Sequence, residues 1–389
     1  MLRINNIKQY TLCVIIILLM SHFQSCIRTG PQDQEGNKYL HSNSGLRVKL
    51  DEIWIRLGDR MGEIDQDHGL VSVDVAEFSN NSEFIVSGSS LGNDLIIWEV
   101  KSGKKLFHDS CKNEIESVCF SPDDKYLFAG GKFKNLLIYN TRTWKRQKDV
   151  EFDSGIEYMK FSHNGELLAI GHIDGRISIL DGKNFNVLKQ VIHTPKEKMK
   201  DYPTKDRGDV NSLDFSLDDK YLVSGGLDGK LIIWEVDQMA IIRTLEGHNA
   251  SVKSVRISPQ LSCIASASVS QKGRDDNSIK IWNFNSGNLI HTLTFPLGME
   301  AVEFSLDGSI LAAGGREGAK SDSVEEEQGH IYFYAIPDDP VNKPIVQVHK
   351  ESVFRSEYLD FNNEGDLLVS SHEDGTLRLW KFQIEGIDP

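Results

Sequence analysis

From about residue 46 onward the chain alternates short apolar runs with polar turn signals, and the runs are too short to be helices. Residues 216–234 read SLDDKYLVSGGLDGKLIIW, and residues 121–139 read SPDDKYLFAGGKFKNLLIY. In the second stretch Pro122 fixes φ at the first central position of a turn, and Asp123 and Asp124 supply nearby hydrogen-bond acceptors. The runs Tyr221-Leu222-Val223 and Leu231-Ile232-Ile233-Trp234 predict strands buried on both faces, joined through a tight turn at Asp228-Gly229.

Aligned on the residue that closes the first strand, the pattern occurs seven times, at Phe78, Phe120, Phe161, Phe215, Ile257, Phe304 and Phe361. The third strands end near Trp98, Tyr139, Leu180, Trp234, Trp282, Tyr334 and Trp380, and in four of the seven units the two landmarks lie 19 residues apart. A fourth, more polar strand fits between units, as at 187–192 and 241–245. Four short strands every ~40 to 45 residues predict the blade of a β-propeller, whose two apolar faces must be covered by neighbours. The expected fold is all-β, a seven-bladed β-propeller of four-stranded antiparallel blades. The last unit stops at its third strand, so 46–57 (LRVKLDEIWIRL) is expected to supply the missing fourth and close the ring.

These repeats resemble the WD-repeat family. Its marks stand in Leu227-Asp228-Gly229 with Ile233-Trp234, in Glu373-Asp374-Gly375 with Leu379-Trp380, and in Gly247-His248 ahead of the fifth unit. The resemblance implies structural roles for His248, Asp228, Trp234, Trp282, Asp374 and Trp380. The family's tetrad of His, Ser or Thr, Asp and Trp carries over only to the fifth unit, where His248 meets Trp282 and the acid is Asp275 or Asp276.

Composition is that of a globular protein: 389 residues, 39% hydrophobic, with a formal charge of -14 that disfavours a nonspecific grip on nucleic acid. The N-terminus is of another kind. Arg3 and Lys8 precede an apolar core, Thr11 to Met20, too short to span a bilayer. Cys26 follows Ser25 in a setting that resembles the lipidation box of bacterial lipoproteins; a plain signal peptide cleaved near Cys26 and a short uncleaved anchor are the alternatives. The expected organisation is a signal peptide over 1–25, a lipid-anchored polar tether over 26–44, a propeller over 45–384 and a tail over 385–389. A tether of that length spans about 25 Å as a coil. Cys111, Cys119 and Cys263 have neither zinc-ligand spacing nor an even count, which predicts buried free thiols.

Candidate chemistry is sparse. Gly225-Gly226 and Gly314-Gly315 lack a P-loop lysine and following helix, the histidines show no HExxH, and no GxSxG elbow occurs. His172 and His372 precede turn aspartates and are expected to be structural. The residues just before the strand-closing positions, Glu77, Cys119, Lys160, Asp214, Arg256, Glu303 and Asp360, should stand at one height around the channel. Two readings of that ring stay open: an inter-blade charge chain through Lys160, Asp214, Arg256 and Glu303, or an ion-binding cluster of Glu303, Asp360 and Glu77.

Three insertions, 194–208, 269–277 and 317–329, should all emerge on one rim, the face this family commonly uses for partners. The candidate contact residues there are Lys196, Lys198, Lys200, Tyr202, Lys205, Arg207, Lys272, Arg274, Glu325, Glu326 and Glu327, with floppy solvated loops as the competing reading. The basic-aromatic stretch Arg142 to Lys148 should form a charge-guarded outer edge. The function expected is a noncatalytic scaffold that binds proteins without a cofactor, a monomeric ring held at a bacterial envelope membrane through lipidated Cys26. A propeller enzyme of the quinoprotein or calcium-dependent lactonase type is the second class, and an outer-membrane assembly or transport lipoprotein the third.

Overall fold

The computed structural model describes residues 46–386 apart from 58–63, 66–68, 71, 90–92, 112–113, 148, 196–207, 260–262, 272, 317–327, 342 and 344. Besides a two-stranded ladder of Ile64–Asp65 with Gly69–Leu70, among the described residues seven antiparallel blade sheets follow one another along the chain. Their innermost strands are Val75–Phe78, Ile115–Phe120, Ile156–Phe161, Val210–Phe215, Ser251–Ile257, Met299–Phe304 and Ser356–Phe361, each ending on the predicted closing residue. Each of seven hydrophobic clusters is shared by consecutive blades, including the seventh and first, where Val369, Leu377 and Trp54 pack with Val73, Ile85 and Trp98. The core is thus a set of blade interfaces, and closing the ring leaves no blade with a bare face. Cys111, Cys119 and Cys263 are buried free thiols within it.

The predicted closure is present. Leu46–Leu57 is the outer strand of blade seven, paired antiparallel with Thr376–Gly386 from Leu46↔Gly386 to Leu57↔Thr376. It even repeats the one-residue bulge of other outer strands: the shift between Glu52 and Trp54 falls opposite Trp380, as the shifts in blades one, four and five fall at Trp98, Trp234 and Trp282. Trp54 is buried and its indole donates to Val100 O at 2.9 Å, fastening blade seven to blade one. Blade two departs from the plan. Its outer edge is broken into Lys145–Arg146 and Val150–Glu151, while Trp144, at φ 53°, turns inward to stack on Phe107.

The turn chemistry is as expected, with an added role. Asp124 N donates to Ser121 O at 2.8 Å, and the Asp124 carboxylate accepts from Asn80 N and Asn81 N of blade one, both at 2.8 Å. Asp219 does the same for His163 N and Asn164 N. One aspartate both makes its own turn and ties down the turn of the preceding blade.

The tetrad expectation needs correction, because among the described residues two blades have complete tetrads. In blade five His248 bonds Ser266 at 2.7 Å and Asp276 at 2.9 Å, and Trp282 donates to Ser266 at 2.9 Å, which settles the acid as Asp276. Hydrogen bonds from His248 and Ser278 outweigh the burial that would raise Asp276 and hold its pKa at about 2. In blade four the histidine is His193, from the end of the preceding outer strand. It reaches Ser224 at 2.7 Å and Asp228 at 3.3 Å, and Trp234 donates to the same Ser224 at 2.8 Å. Blade seven has a shorter version: Trp380 and His372 share Ser370, each at 2.8 Å, while Asp374 accepts from Thr376 N. His172 likewise bonds Ser178 at 2.8 Å, so both turn histidines are structural.

Candidate functional site: the channel and its mouth

The innermost strand of each blade is a sheet edge, with backbone N–H groups turned toward the channel. Bare edges of this kind need a partner. Side chains of the preceding blade supply it. Ser117, Ser212 and Ser254 hydroxyls accept from Met159 N, Val255 N and Val302 N at 2.9, 3.1 and 3.2 Å. One step further along, Asp214 accepts from Ile257 N at 2.7 Å and Asp360 from Phe78 N at 2.8 Å. The last of these bonds crosses the closing seam between blades seven and one.

The ring before the closing positions is therefore laced to the backbone at Asp214 and Asp360, and its charged members also act on one another. Arg256 and Glu303 form the expected inter-blade pair at 2.5 Å, and the guanidinium lies over the Tyr158 ring at 5.7 Å. Lys160 makes no ion pair with Asp214, so among the described residues the chain is direct only between blades five and six. Burial works against the Lys160 charge, yet the surroundings of Tyr158, Glu77 and Asp214 raise its pKa above the ordinary value. The acids of the second reading also meet electrostatically. Burial pushes Glu77 up to about 7 against the pull of Lys160, and burial, then Glu77 and Glu303, push Asp360 well above the carboxylate range. Among the described residues no group of three or more His, Cys, Asp or Glu side chains is arranged to hold a metal ion.

Two tyrosines divide the channel. Tyr158 of blade three and Tyr358 of blade seven meet with their hydroxyls 3.2 Å apart, at a height where the other blades place Val75, Ser117, Ser212, Ser254 and Ala301.

On the mouth side stands a second ring that strict alternation along the strands conceals. In blades two to seven the inner strand carries a one-residue bulge, and the extra residues are Glu116, Glu157, Asn211, Lys253, Glu300 and Glu357. Asp74 is the counterpart in blade one, its N–H bonded to Gly88 O at 3.0 Å. A bulge re-aims its side chain. The ring so formed brings five carboxylates, an amide and an ammonium to a cavity of about 210 Å³. Arg355 enters from the link between blades six and seven, pairing with Glu357 and Glu373 at 2.9 Å each and with Glu300. Burial opposes its charge, but the three carboxylates outweigh it and raise its pKa. Burial also raises Glu357 and Glu116; Arg355 relieves the first, and Lys132, 3.4 Å from Glu116, relieves the second. The sequence signal was a polar residue three before the inner ring position, as Glu116 stands to Cys119 in IESVCF and Glu157 to Lys160 in IEYMKF. A flat strand would send residues at that spacing to opposite faces.

The mouth opens on the rim where links between blades and second turns emerge, since each inner strand begins there opposite the end of the second strand, as in Ile115↔Gly131. Of the predicted contact residues, Arg274 is on this rim, closing a tight turn with Gln271 through backbone bonds of 2.8 and 2.9 Å around Gly273. Lys196, Lys198, Lys200, Tyr202, Lys205, Arg207, Lys272, Glu325, Glu326 and Glu327 lie outside the described residues, as does Cys26.

Three family profiles match parts of the chain: "WD domain, G-beta repeat" over 103–134 and 345–381, "Anaphase-promoting complex subunit 4 WD40 domain" over 134–202, and "Eukaryotic translation initiation factor eIF2A" over 191–297. Among curated proteins, the chain is 25% identical over 228 residues to Protein SPA1-RELATED 3 of Arabidopsis thaliana, covering 58% of this chain and 24% of that one. It is 28% identical over 158 residues to eukaryotic translation initiation factor 3 subunit I of Vanderwaltozyma polyspora, covering 38% and 42%. To small ribosomal subunit protein RACK1y of Oryza sativa subsp. japonica it is 27% identical over 160 residues, covering 41% and 43%. The chain thus spans less than half the length of each of these three eukaryotic relatives. Together with the seven blades, the matches support a WD-repeat propeller.

Proposed function

We propose that this WD-repeat propeller is a noncatalytic protein-interaction scaffold that presents the rim around its acidic channel mouth to protein partners. One observation carries the reading: Asp214, Asp360, Arg256 and Glu303 inside the channel are committed to holding blades together, whereas the described ends of the three long insertions lie on the mouth rim. Asp214 and Asp360 are spent on backbone N–H groups and Arg256 on Glu303, and the Tyr158–Tyr358 contact crosses the bore. A rigid ring with variable links is how loops gain function without disturbing a core. Two relatives fit this reading by name, one a subunit of an initiation factor and one a ribosomal subunit protein. Capture from solubilised membranes tests it: deletion of 317–329 should remove specific partners recovered by the intact chain, and an unaltered partner set would contradict the rim assignment.

The same reading puts the ring at an envelope membrane through a lipid on Cys26, supported by the charged start, the short apolar core and Ser25-Cys26. The outer strand of blade seven begins beside the rim opposite the mouth, since Val48 pairs with Ile384 and Ile384 lines a groove with Ser305, Leu306, Asp307, Glu364 and Gly365. A chain arriving from Cys26 would therefore join the ring away from the partner rim. Cys26→Ser should abolish incorporation of a fatty-acid label and move the protein to the soluble fraction; label retained on the variant would contradict lipidation at Cys26.

A further inference from the structure

The outer strands of the blades are sheet edges as well, and they are not alike around the ring. In blades three, four and five they are Val187–Ile192 (VLKQVI), Ala240–Leu245 (AIIRTL) and Leu289–Thr294 (LIHTLT), each the terminal strand of its sheet. Six large aliphatic side chains stand exposed there: Val187, Leu188, Ile192, Ile241, Ile242 and Leu289, at 44% to 58% of full accessibility. At the residue paired with the third-strand landmark and the residue that follows it, blade three has Val187-Leu188, blade four Ile241-Ile242 and blade five Leu289-Ile290; blades one, two and seven have Lys105-Leu106, Arg146-Gln147 and Glu52-Ile53. The aliphatic pairs thus occupy three consecutive sectors of the wall.

Two cations join those sectors into one band. Lys189 reaches from blade three to Gln238 O of blade four, and Arg243 reaches from blade four to Asn285 O of blade five at 3.0 Å. Arg243 lies so close to Gly287 that a Cβ there would stand 2.1 Å from its Cδ; with φ at +73°, that turn position requires glycine. The stems of the two side chains cover the gaps between blades while their heads keep their charge. The three strands contain no Asp or Glu, in a chain of net charge -14; the acids nearest them flank the strands, as Asp237 before and Glu246 after the strand of blade four, where Glu246 is paired with Lys230.

We propose that the outer wall of blades three to five is a second docking surface, which takes an extended aliphatic and acidic segment of a partner protein by strand addition at Val187–Ile192 or Ala240–Leu245. Three features select that occupant. The unpaired edge offers backbone N–H and C=O groups that another extended chain satisfies and hydrocarbon does not, which disfavours a lipid surface. The exposed aliphatics supply apolar contact for alternate side chains. Within the strands the charge is of one sign, so edge-to-edge pairing with a second copy would set Lys189 and Arg243 against their own kind, whereas carboxylates of a partner strand complement them. Lysine within an edge strand also guards against promiscuous pairing, which makes an acidic partner the selective one. This surface is separate from the mouth rim and does not depend on it.

A fluorescein-labelled peptide alternating valine and glutamate is the probe, with a valine–lysine peptide as control. The full chain should bind the acidic peptide saturably and more weakly at higher salt, and hydrogen exchange should slow in 187–192 or 240–245 on binding. Of Leu188→Glu and Ile242→Glu, both at exposed positions, the one on the strand protected from exchange should weaken binding about tenfold. Unchanged thermal melting of the variants shows that they fold, and deletion of 317–329 should leave the peptide affinity unaltered. Equal affinity for the lysine peptide, protection elsewhere in the ring, insensitivity to both variants, or no saturable binding below about 1 mM would overturn the proposal. So would flotation with phosphatidylglycerol vesicles, or self-association in light scattering, that the two variants abolish.

Discussion

The inner and outer walls of the ring are both made of sheet edges, yet they are treated in opposite ways. At the channel, neighbouring blades are close enough that a Ser or Asp of one caps a backbone N–H of the next, as Ser212 caps Val255 and Asp360 caps Phe78. At the circumference the blades diverge, and the sequence alone decides how an edge is protected. Blade seven folds back a tryptophan, blade two breaks its strand around Arg146 and Asp149, and blades three to five leave aliphatics exposed. Polar residues in the bore are therefore poor pointers to chemistry, because radial packing already gives them work. Apolar residues on the outer wall have no such work.

The comparison breaks most visibly where the two walls share one strand. Removing 46–57 strips the outer edge of blade seven, exposes the surface under Val48 and Trp54, and should cost about 5 kcal/mol or more and the cooperativity of unfolding. Denaturant melts check this; a transition like that of the intact chain would mean the ring closes without its clasp. Next in size is the bore itself. Arg256→Met leaves Glu303 and Asp214 without their cation and should cost about 3 kcal/mol by the same assay, since a half-removed buried pair strands a charge.

A smaller effect is tied to pH. Burial raises Glu77 to about 7, so the stability linked to its proton is fully present below its ordinary value of 4.5 and is lost as pH climbs through about 7. Its neighbours in the bore are Cys119, Tyr158, Lys160, Asp214, Arg256, Glu303, Tyr358 and Asp360, so the proton is one of a coupled set. Glu77→Gln should flatten the fall in unfolding free energy between pH 5 and pH 8, by an amount on the order of 2 kcal/mol; a slope equal to the parent's would contradict a shared proton at the seam. Smallest of all, Leu188→Ser should change stability by no more than about 0.5 kcal/mol, because the side chain is 58% exposed. A loss of several times that would mean the outer wall is structural after all.

Much of the fold was legible because each blade repeats one burial problem. Phe120 or Trp234 marks the same position in every unit, and a missing fourth strand at the C-terminus can be filled only from elsewhere in a ring. The blade-four tetrad was hidden by distance along the chain: His193 lies before the 194–208 insertion, whereas Gly247-His248 stands next to the strand it serves. The mouth ring was hidden by geometry. Glu116 and Glu157 fall on bulges, and a strict two-residue period sends them to the wrong face. The stretch from Arg142 to Lys148 was readable as an outer edge, but not the break that lets Trp144 pack against Phe84 and Phe107.

Native-state hydrogen exchange resolved at single amides tests the contrast between the walls most directly. The channel-facing amides of Phe78, Met159, Val255, Ile257 and Val302 should exchange only with global unfolding, while the outward amides of 187–192 and 240–245 should exchange orders of magnitude faster. Channel amides that exchange as fast as the outer ones would contradict a bore whose polar groups are committed to closing the ring.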